Sequence, residues 1–252
     1  MFQPGTFSPA PQRASIGAMV RAQALIEAKL FLRHGEQQLL SMIIPLALLV
    51  GLTLVPVLDD ADPVQRVFPF TLAIAGMSAG FTGQAIAVAF DRRYGALKRI
   101  GASGVPAWTI IVGKVVAVLA VALLQAIVLG AVATVLGFHT SMLGVLLSFC
   151  AVVMGVATFT ALGLLLGGTL GSEAVLASAN LIWFVLIGAA AYATFRAGAD
   201  ASPWLQWLPS VAVVESLTSA FQGSVAWLSF LVLGCWFAAA SIAAVRLFKF
   251  TG

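Results

Sequence analysis

Six long apolar segments constrain the fold of this 252-residue chain more than any other feature. Each runs for about 20 residues or more, which is the length a helix needs to cross the hydrocarbon core of a bilayer. A soluble domain could not hide them, because the chain is 61% hydrophobic and 9% charged, against about 45–50% and about 25% in ordinary soluble domains. The predicted spans are residues 39–58, 67–90, 108–136, 143–170, 175–195 and 225–246.

These segments are apolar on every face, whereas a transmembrane strand alternates apolar and polar positions. Helices are the remaining structure that satisfies its own backbone in lipid. The sequence therefore predicts an all-α polytopic membrane protein with six transmembrane helices. We assign residues 1–38 to a cytoplasmic tail with an amphipathic helix and residues 39–252 to the transmembrane domain.

Basic residues are distributed unequally between the two sides of the predicted bundle. One side holds 11 of the 13 lysines and arginines, and the other side holds only Arg66 and Arg196. Basic residues stay where the chain does not cross the membrane during insertion, so this asymmetry assigns both termini to the cytoplasm. The opposite side also carries most of the acidic residues, which are Asp59, Asp60, Asp62, Asp200 and Glu215.

A helix is predicted before the first span, over residues 15–37. Its cations Arg21, Lys29 and Arg33 lie opposite an apolar side. This pattern indicates a helix lying in the cytoplasmic interface, although a basic orientation signal alone would need the same charges. The apolar side is formed by Ile16, Met19, Val20, Ile26, Leu30 and Phe31.

Residues 200–222 contain two short apolar pieces separated by Pro209. An 11-residue helix is only about 16 Å long, roughly half the hydrocarbon thickness, so neither piece can cross. We predict a re-entrant hairpin that enters from the outer face before the last span. Trp204 and Trp207 are expected at the interface, where their amphipathic rings are favoured.

Glycines recur at a spacing of four in two spans, which lets helix backbones approach closely. Gly76 and Gly80 lie in the second span, and Gly163, Gly167 and Gly171 in the fourth. The spacing indicates packing within the chain or, alternatively, a specific dimer seam.

The chain lacks the residues of several kinds of catalytic site. It has no GxxxxGK[ST] sequence, so it lacks the phosphate-binding loop of a P-loop ATPase. His34 and His139 fall on opposite sides of the membrane and cannot share a metal ion or haem. Cys150 and Cys235 are expected to be small buried hydrophobic residues. We predict no catalytic or metal site, and no cofactor bound by this chain.

The central parts of the spans contain no Asp, Glu, Lys or Arg, although a proton-coupled carrier usually needs a titratable group at membrane depth. The deeper polar residues Gln84, Gln125 and Asn180 could line a substrate path or form hydrogen bonds between helices. Glu215 is the best remaining proton-relay residue. A secondary transporter or channel is therefore the alternative function, followed by a noncatalytic membrane scaffold.

The loop over residues 91–107 combines cations with an apolar ridge. It begins at Asp91, and Tyr94, Leu97 and Ile100 follow at helical spacing. A helix of this kind can insert its ridge into a groove on a cytosolic protein while its cations steer docking. The cations are Arg92, Arg93, Lys98 and Arg99.

This loop resembles the first cytoplasmic loop of the permease subunits of type-2 ABC exporters, including drug-resistance and antibiotic-export permeases. The similarity extends over nearly the whole chain, through the amphipathic start, the six spans and the outer hairpin. The matching positions are Asp91, Arg92, Gly95, Leu97, Lys98, Arg99, Gly101 to Pro106, and Gly113-Lys114.

The resemblance implies a permease of a bacterial inner membrane that moves its substrate out of the cytoplasm. The sparse charges of the chain favour an amphipathic drug, lipid or lipid-linked product as that substrate. The permease's implied partners are two copies of a cytosolic P-loop ATPase that holds ATP and Mg²⁺, and a second permease, identical or homologous. The chain contacts the lipid bilayer and no nucleic acid. The residues implied to couple it to the ATPase are Asp91, Arg92, Arg93, Tyr94, Gly95, Leu97, Lys98 and Arg99.

Overall fold

The computed structural model describes residues 14–33, 35–55, 61–96, 107–197 and 202–247. Every regular element in these ranges is helical. We label the helices α1 (Ile16–Arg33), α2 (Gly35–Leu54), α3 (Val64–Arg93), α4 (Ala107–Val135), α5 (Met142–Thr169), α6 (Ser172–Tyr192), α7 (Pro209–Phe221) and α8 (Trp227–Leu247). A π-helical turn, Ser78–Gly83, interrupts α3; another, Ala193–Ala197, follows α6; and a 3-10 turn, Pro203–Trp207, precedes α7.

The predicted polytopic helical fold is confirmed. Five helices, α3, α4, α5, α6 and α8, are long and apolar enough to cross a membrane. The first predicted span corresponds to α2, whose 20 residues give a length of about 30 Å. Its described apolar section runs over Met42–Leu54. The helix starts at Gly35, before the predicted boundary at residue 39, because the polar residues there continue the helix.

Helix α1 packs against α4 rather than standing apart from the bundle. The contact is close at Gly113, where an added Cβ would lie 2.8 Å from the Cβ of Gln23. Gln23 is buried, while Ile16 and Ile26 remain more than half exposed. The polar Gln23 thus faces the bundle, because Gly113 of α4 has no side chain and leaves room for it. Part of the predicted apolar side, including Ile16 and Ile26, remains exposed on the outside of the bundle.

Helices α3 and α5 form the centre of the bundle and run parallel, with their glycines in the interface. Gly80 lies against Thr160, and a Cβ at Gly163 would lie 2.6 Å from the Phe81 carbonyl oxygen. Gly167 lies equally close to Ala85. These contacts confirm packing within the chain for these glycines. Gly171 lies outside the seam, since a Cβ there would meet nothing within 4 Å.

Helix α7 packs antiparallel to α8, as two hydrogen bonds show. The Ser229 hydroxyl donates to the Glu215 carboxylate at 3.1 Å, near the start of α8. The indole Nε1 of Trp236 donates to the Trp207 carbonyl at 2.9 Å. Trp236 is nine residues beyond Trp227, which is about 14 Å along the helix. The chain therefore folds back along α8, with the Trp207 carbonyl beside the middle of that helix. Entry from the outer face and an interfacial position for Trp207 stay predictions.

Three aromatic rings close the end of the bundle where α7 finishes, which we call the hairpin end. Phe138 contacts Phe68 and Phe221 with ring centroids 4.6 Å and 5.1 Å apart. The Thr140 hydroxyl also donates to the Phe221 carbonyl at 2.6 Å.

The prediction that the two cysteines are buried is wrong. Cys150 and Cys235 are exposed on the single chain, because the outward faces of α5 and α8 carry apolar side chains too.

Candidate coupling site at the end of α3

The last turn of α3 carries Asp91, Arg92 and Arg93 and lies at the end of the bundle opposite the hairpin end. We call this end the basic end. The helix stops at Gly95, whose φ of +69° is a left-handed conformation that a residue without Cβ adopts at little cost. The predicted coupling loop thus begins inside a span. Leu97, Lys98 and Arg99 lie outside the described residues, and their role stays a prediction.

Arg92 is buried inside the chain, with 6% of its surface exposed. Its Nη1 donates to the carbonyls of Gly167 and Leu170, each at 2.9 Å. Both carbonyls belong to the end of α5, where a helix leaves carbonyl groups without intrahelical donors and carries a partial negative charge. Hydrogen bonds from a charged donor contribute about 1.5–3 kcal/mol each. Arg92 is among the residues predicted to couple the chain to an ATPase, but its side chain is turned into the bundle.

The next two residues face outward. Arg93 donates to the Ser172 hydroxyl at 3.2 Å and lies 3.7 Å from Glu173, but about half of its side chain remains exposed. Exposed ion pairs of this kind contribute little to stability. Tyr94 is 66% exposed, and its ring stacks on Phe90 with centroids 6.0 Å apart. Arg93 and Tyr94 thus lie at the surface of the basic end.

Asp91 forms an ion pair that the sequence analysis missed. Its Oδ2 accepts from Lys114 Nζ at 2.9 Å, and Lys114 is 3% exposed. The sequence feature that could have predicted this pair is the position of the two residues. Asp91 lies at the end of one span and Lys114 near the start of the next, on either side of the coupling loop. This pair ties the two ends of the coupling loop together.

The three deep polar residues lie on three different helices, and no hydrogen bond joins any two of them. Gln84 in α3 and Gln125 in α4 are both buried. Asn180 in α6 is exposed, and its side-chain amide donates to the Leu176 carbonyl of its own helix at 2.9 Å. A substrate path shared by these residues stays a prediction.

An internal cavity lies where α3, α4, α5 and α7 meet. It is lined by Leu72, Gly76, Ala122, Phe159 and Leu217, with other apolar neighbours, and provides about 10 Å³ for water-sized molecules. Small-molecule pockets enclose about 300–1,000 Å³. This cavity is therefore a packing gap, and Gln84 and Gln125 do not line it.

Within the residues that the structure describes, no group of three or more His, Cys, Asp or Glu side chains could hold a metal ion. His139 lies at the hairpin end, where its Nδ1 is 2.8 Å from the Gln65 amide nitrogen. His34 falls outside the residues described.

The long apolar helices define a multi-pass integral membrane protein, with charged contacts gathered at one end of the bundle. The family follows from comparison with known proteins. A family model described as ABC-2 type transporter matches residues 19–226, and the chain belongs to this family. No individual curated protein matches the chain significantly.

Membership makes the chain the membrane-spanning permease of an ABC-type transporter, a class that works with an ATPase partner. The permease domain of this family has no ATPase site of its own. The matched region includes α2 to α7 and the whole coupling loop. The family resemblance seen in the sequence is thereby confirmed, without the drug-resistance specificity.

Proposed function

We propose that this permease exports an amphipathic substrate from the cytoplasm by using ATP that a separate subunit hydrolyses. The observation that carries the proposal is the end of α3. Arg93 and Tyr94 are exposed there, while their neighbours Asp91 and Arg92 hold α3 to α4 and α5. A partner that displaces the exposed turn would therefore displace three helices. ATP and Mg²⁺ would be bound by that partner.

We further propose that two permeases, identical or homologous, enclose the substrate path and that two ATPase subunits drive them. The cavity where α3, α4, α5 and α7 meet would not serve as the path, because about 10 Å³ is too small for a ligand. Helix α6 has a large exposed apolar face, because only 22% of its most apolar stretch is buried within the chain. Leu181, Phe184 and Val185 lie on that face and are each more than 60% exposed. Lipid or a second permease would cover it.

The proposed substrate class follows from the scarcity of charge within the spans. A path between such helices offers apolar surface and few ionic partners, which favours drugs, lipids or lipid-linked products over highly charged solutes. For location, we propose a bacterial inner membrane with both termini in the cytoplasm. The basic residues at the end of α3 support this orientation.

Copurification with the ATPase tests the proposal. The partner to use is a P-loop ATPase without spans encoded beside this gene, and the test variant replaces Arg93, Lys98 and Arg99 by glutamine. We expect at least about a tenfold loss of bound ATPase, or about 1.4 kcal/mol, together with loss of ATP-driven transport. The isolated wild-type chain should show no ATP turnover.

A matched variant controls for the loss of three positive charges. It replaces Arg21, Lys29 and Arg246, which are exposed, and should retain ATPase binding within about twofold. Membrane level and topology must be measured for both variants, because cations also orient insertion. ATP turnover by the chain alone, or transport that needs no ATPase and follows a pH gradient, would contradict the proposed function.

A further inference from the structure

The two adjacent arginines at the end of α3 have opposite environments. Arg92 is 6% exposed and bonded to the end of α5, whereas the Arg93 side chain is 51% exposed. We infer that Arg92 is a positioning residue that pins the end of α3 to the end of α5 and makes no contact with the ATPase. Its consequence for transport rests on the proposed function, while its structural part does not.

The pin is the last of several contacts along two parallel helices. Gly76 lies against Val156, Gly80 against Thr160, and Gly167 against Ala85. Arg92 then bonds to the two α5 carbonyls. From Gly76 to Arg92 the seam is about 24 Å long at 1.5 Å per residue. The glycine contacts set a close distance but form no directional bond, so Arg92 fixes the register of the two helix ends.

Arginine suits this position for two reasons. One guanidinium nitrogen has two hydrogens and reaches both carbonyls, and its charge complements the negative end of the α5 dipole. Guanidinium is also more weakly hydrated than an ammonium group, so burying it is less unfavourable. Lysine keeps the charge but is one atom shorter, and glutamine keeps neither the charge nor the reach. Lysine should therefore restore the pin only in part.

With Arg92 in place, a displacement of the Arg93–Tyr94 turn reaches α5 through a bond. Without Arg92 the ATPase could still dock, but α3 and α5 would move less strictly together. Removing Arg92 should thus separate ATPase binding from transport. Removing Arg93 should weaken binding itself. Loss of transport with ATPase binding retained identifies a positioning residue, whereas loss of ATPase binding identifies a docking contact.

Pulsed electron spin resonance on the full-length chain in nanodiscs tests the pin without any ATPase. Spin labels are placed at Tyr94→Cys and Gly171→Cys after Cys150 and Cys235 are replaced by alanine. Gly171 accepts a label because its Cβ position is open and its φ is −71°. We expect Arg92→Gln to widen the distance distribution at least about twofold, with Arg92→Lys intermediate. The matched Arg93→Gln variant should retain the wild-type width. Equal widths in all variants, or equal widening by both glutamine variants, would overturn the inference.

The complex supplies the second readout, with Tyr94 and both cysteines unchanged. Arg92→Gln should retain bound ATPase within about twofold and lose at least about tenfold in transport per ATP hydrolysed. If Arg92→Gln instead loses the ATPase as Arg93→Gln does, Arg92 is a docking residue and the inference is wrong. If Arg92→Gln does not accumulate in membranes, the width of the spin-label distance distribution in Arg92→Lys tests the inference instead. A wild-type width for that variant would then overturn the pin. If wild-type permease binds no ATPase, the proposed function fails while the spin-label result still stands.

Discussion

Lys114 Nζ lies 2.9 Å from Asp91 Oδ2, so an ion pair joins the end of α3 to the start of α4. The coupling loop that connects these helices includes residues 97–106, and the pair brings the two ends of that loop together. A lysine with 3% exposure needs such a carboxylate, because an uncompensated buried charge is strongly destabilising.

Removing only one member of this pair should destabilise the protein more than removing both. Asp91→Asn leaves the lysine charge buried, and we expect a loss of about 1–3 kcal/mol, reduced from the fully buried case because Asp91 is partly exposed. Adding Lys114→Met should recover most of that loss. Thermal unfolding of the purified single and double variants measures the difference. A double variant less stable than Asp91→Asn would contradict the expected coupling between the two residues.

The glycine seam predicts a position-specific effect of a single methyl group. Gly163→Ala would place its Cβ 2.6 Å and 2.7 Å from the Phe81 and Gly80 carbonyl oxygens, so α3 and α5 must move apart. Overpacking of this kind costs about 1–3 kcal/mol. Gly188→Ala is the matched control, since its Cβ position in α6 is open. The unfolding temperature in detergent should fall for Gly163→Ala and stay level or rise for the control. Equal changes would show that the seam tolerates separation.

The bond between Trp236 and Trp207 predicts how the hairpin is held. Trp236→Phe keeps an aromatic ring but removes the indole donor, leaving the Trp207 carbonyl without that bond. We expect faster hydrogen–deuterium exchange in peptides from residues 202–212, because the 3-10 turn and the start of α7 lose an anchor. Trp227→Phe is the control, because Trp227 is 74% exposed at the start of α8. Unchanged exchange in Trp236→Phe would mean that packing alone holds the hairpin.

Glu215 distinguishes the ATP-driven permease from a proton-coupled carrier. Its exposed carboxylate accepts from Ser229 at 3.1 Å, and the amide oxygen of Glu215→Gln can accept the same bond. We therefore expect ATP-driven transport within about twofold of wild type and no change in its pH dependence. Transport assays in vesicles with and without an imposed pH gradient provide the measurement. A carrier predicts the reverse ranking, with Glu215→Gln inactive and the coupling-loop variants active.

The orientation is tested by reporters fused at two loops. A reporter after Arg99 should be active only in the cytoplasm, and one near Asp200 only outside, because cations cluster on the first side. Alkaline phosphatase and green fluorescent protein fusions report these two locations. The opposite pattern would place the coupling loop outside the cell and overturn the proposed orientation.

The sequence by itself determined the class of fold, an all-helical polytopic membrane protein with several long apolar helices. Span length and apolarity are local properties, and a bilayer requires a helix wherever about 20 apolar residues occur together. Pro209 marked the break within the hairpin for an equally local reason. The family resemblance also rested on a continuous stretch of sequence, from Asp91 through the glycines of the coupling loop to Pro106.

Only the tertiary structure decided which charged residues are exposed and which are buried within the chain. Arg92 and Arg93 have the same chemistry and adjacent positions, and no periodicity separates their roles. Arg92 is buried because α5 ends beside it and supplies two carbonyl acceptors. Lys114 likewise pairs with Asp91 because α4 packs beside the end of α3. Gln23 is buried because α1 packs against α4 at Gly113. Such pairings depend on the approach of helices in space, which the glycines permit but the local sequence does not specify.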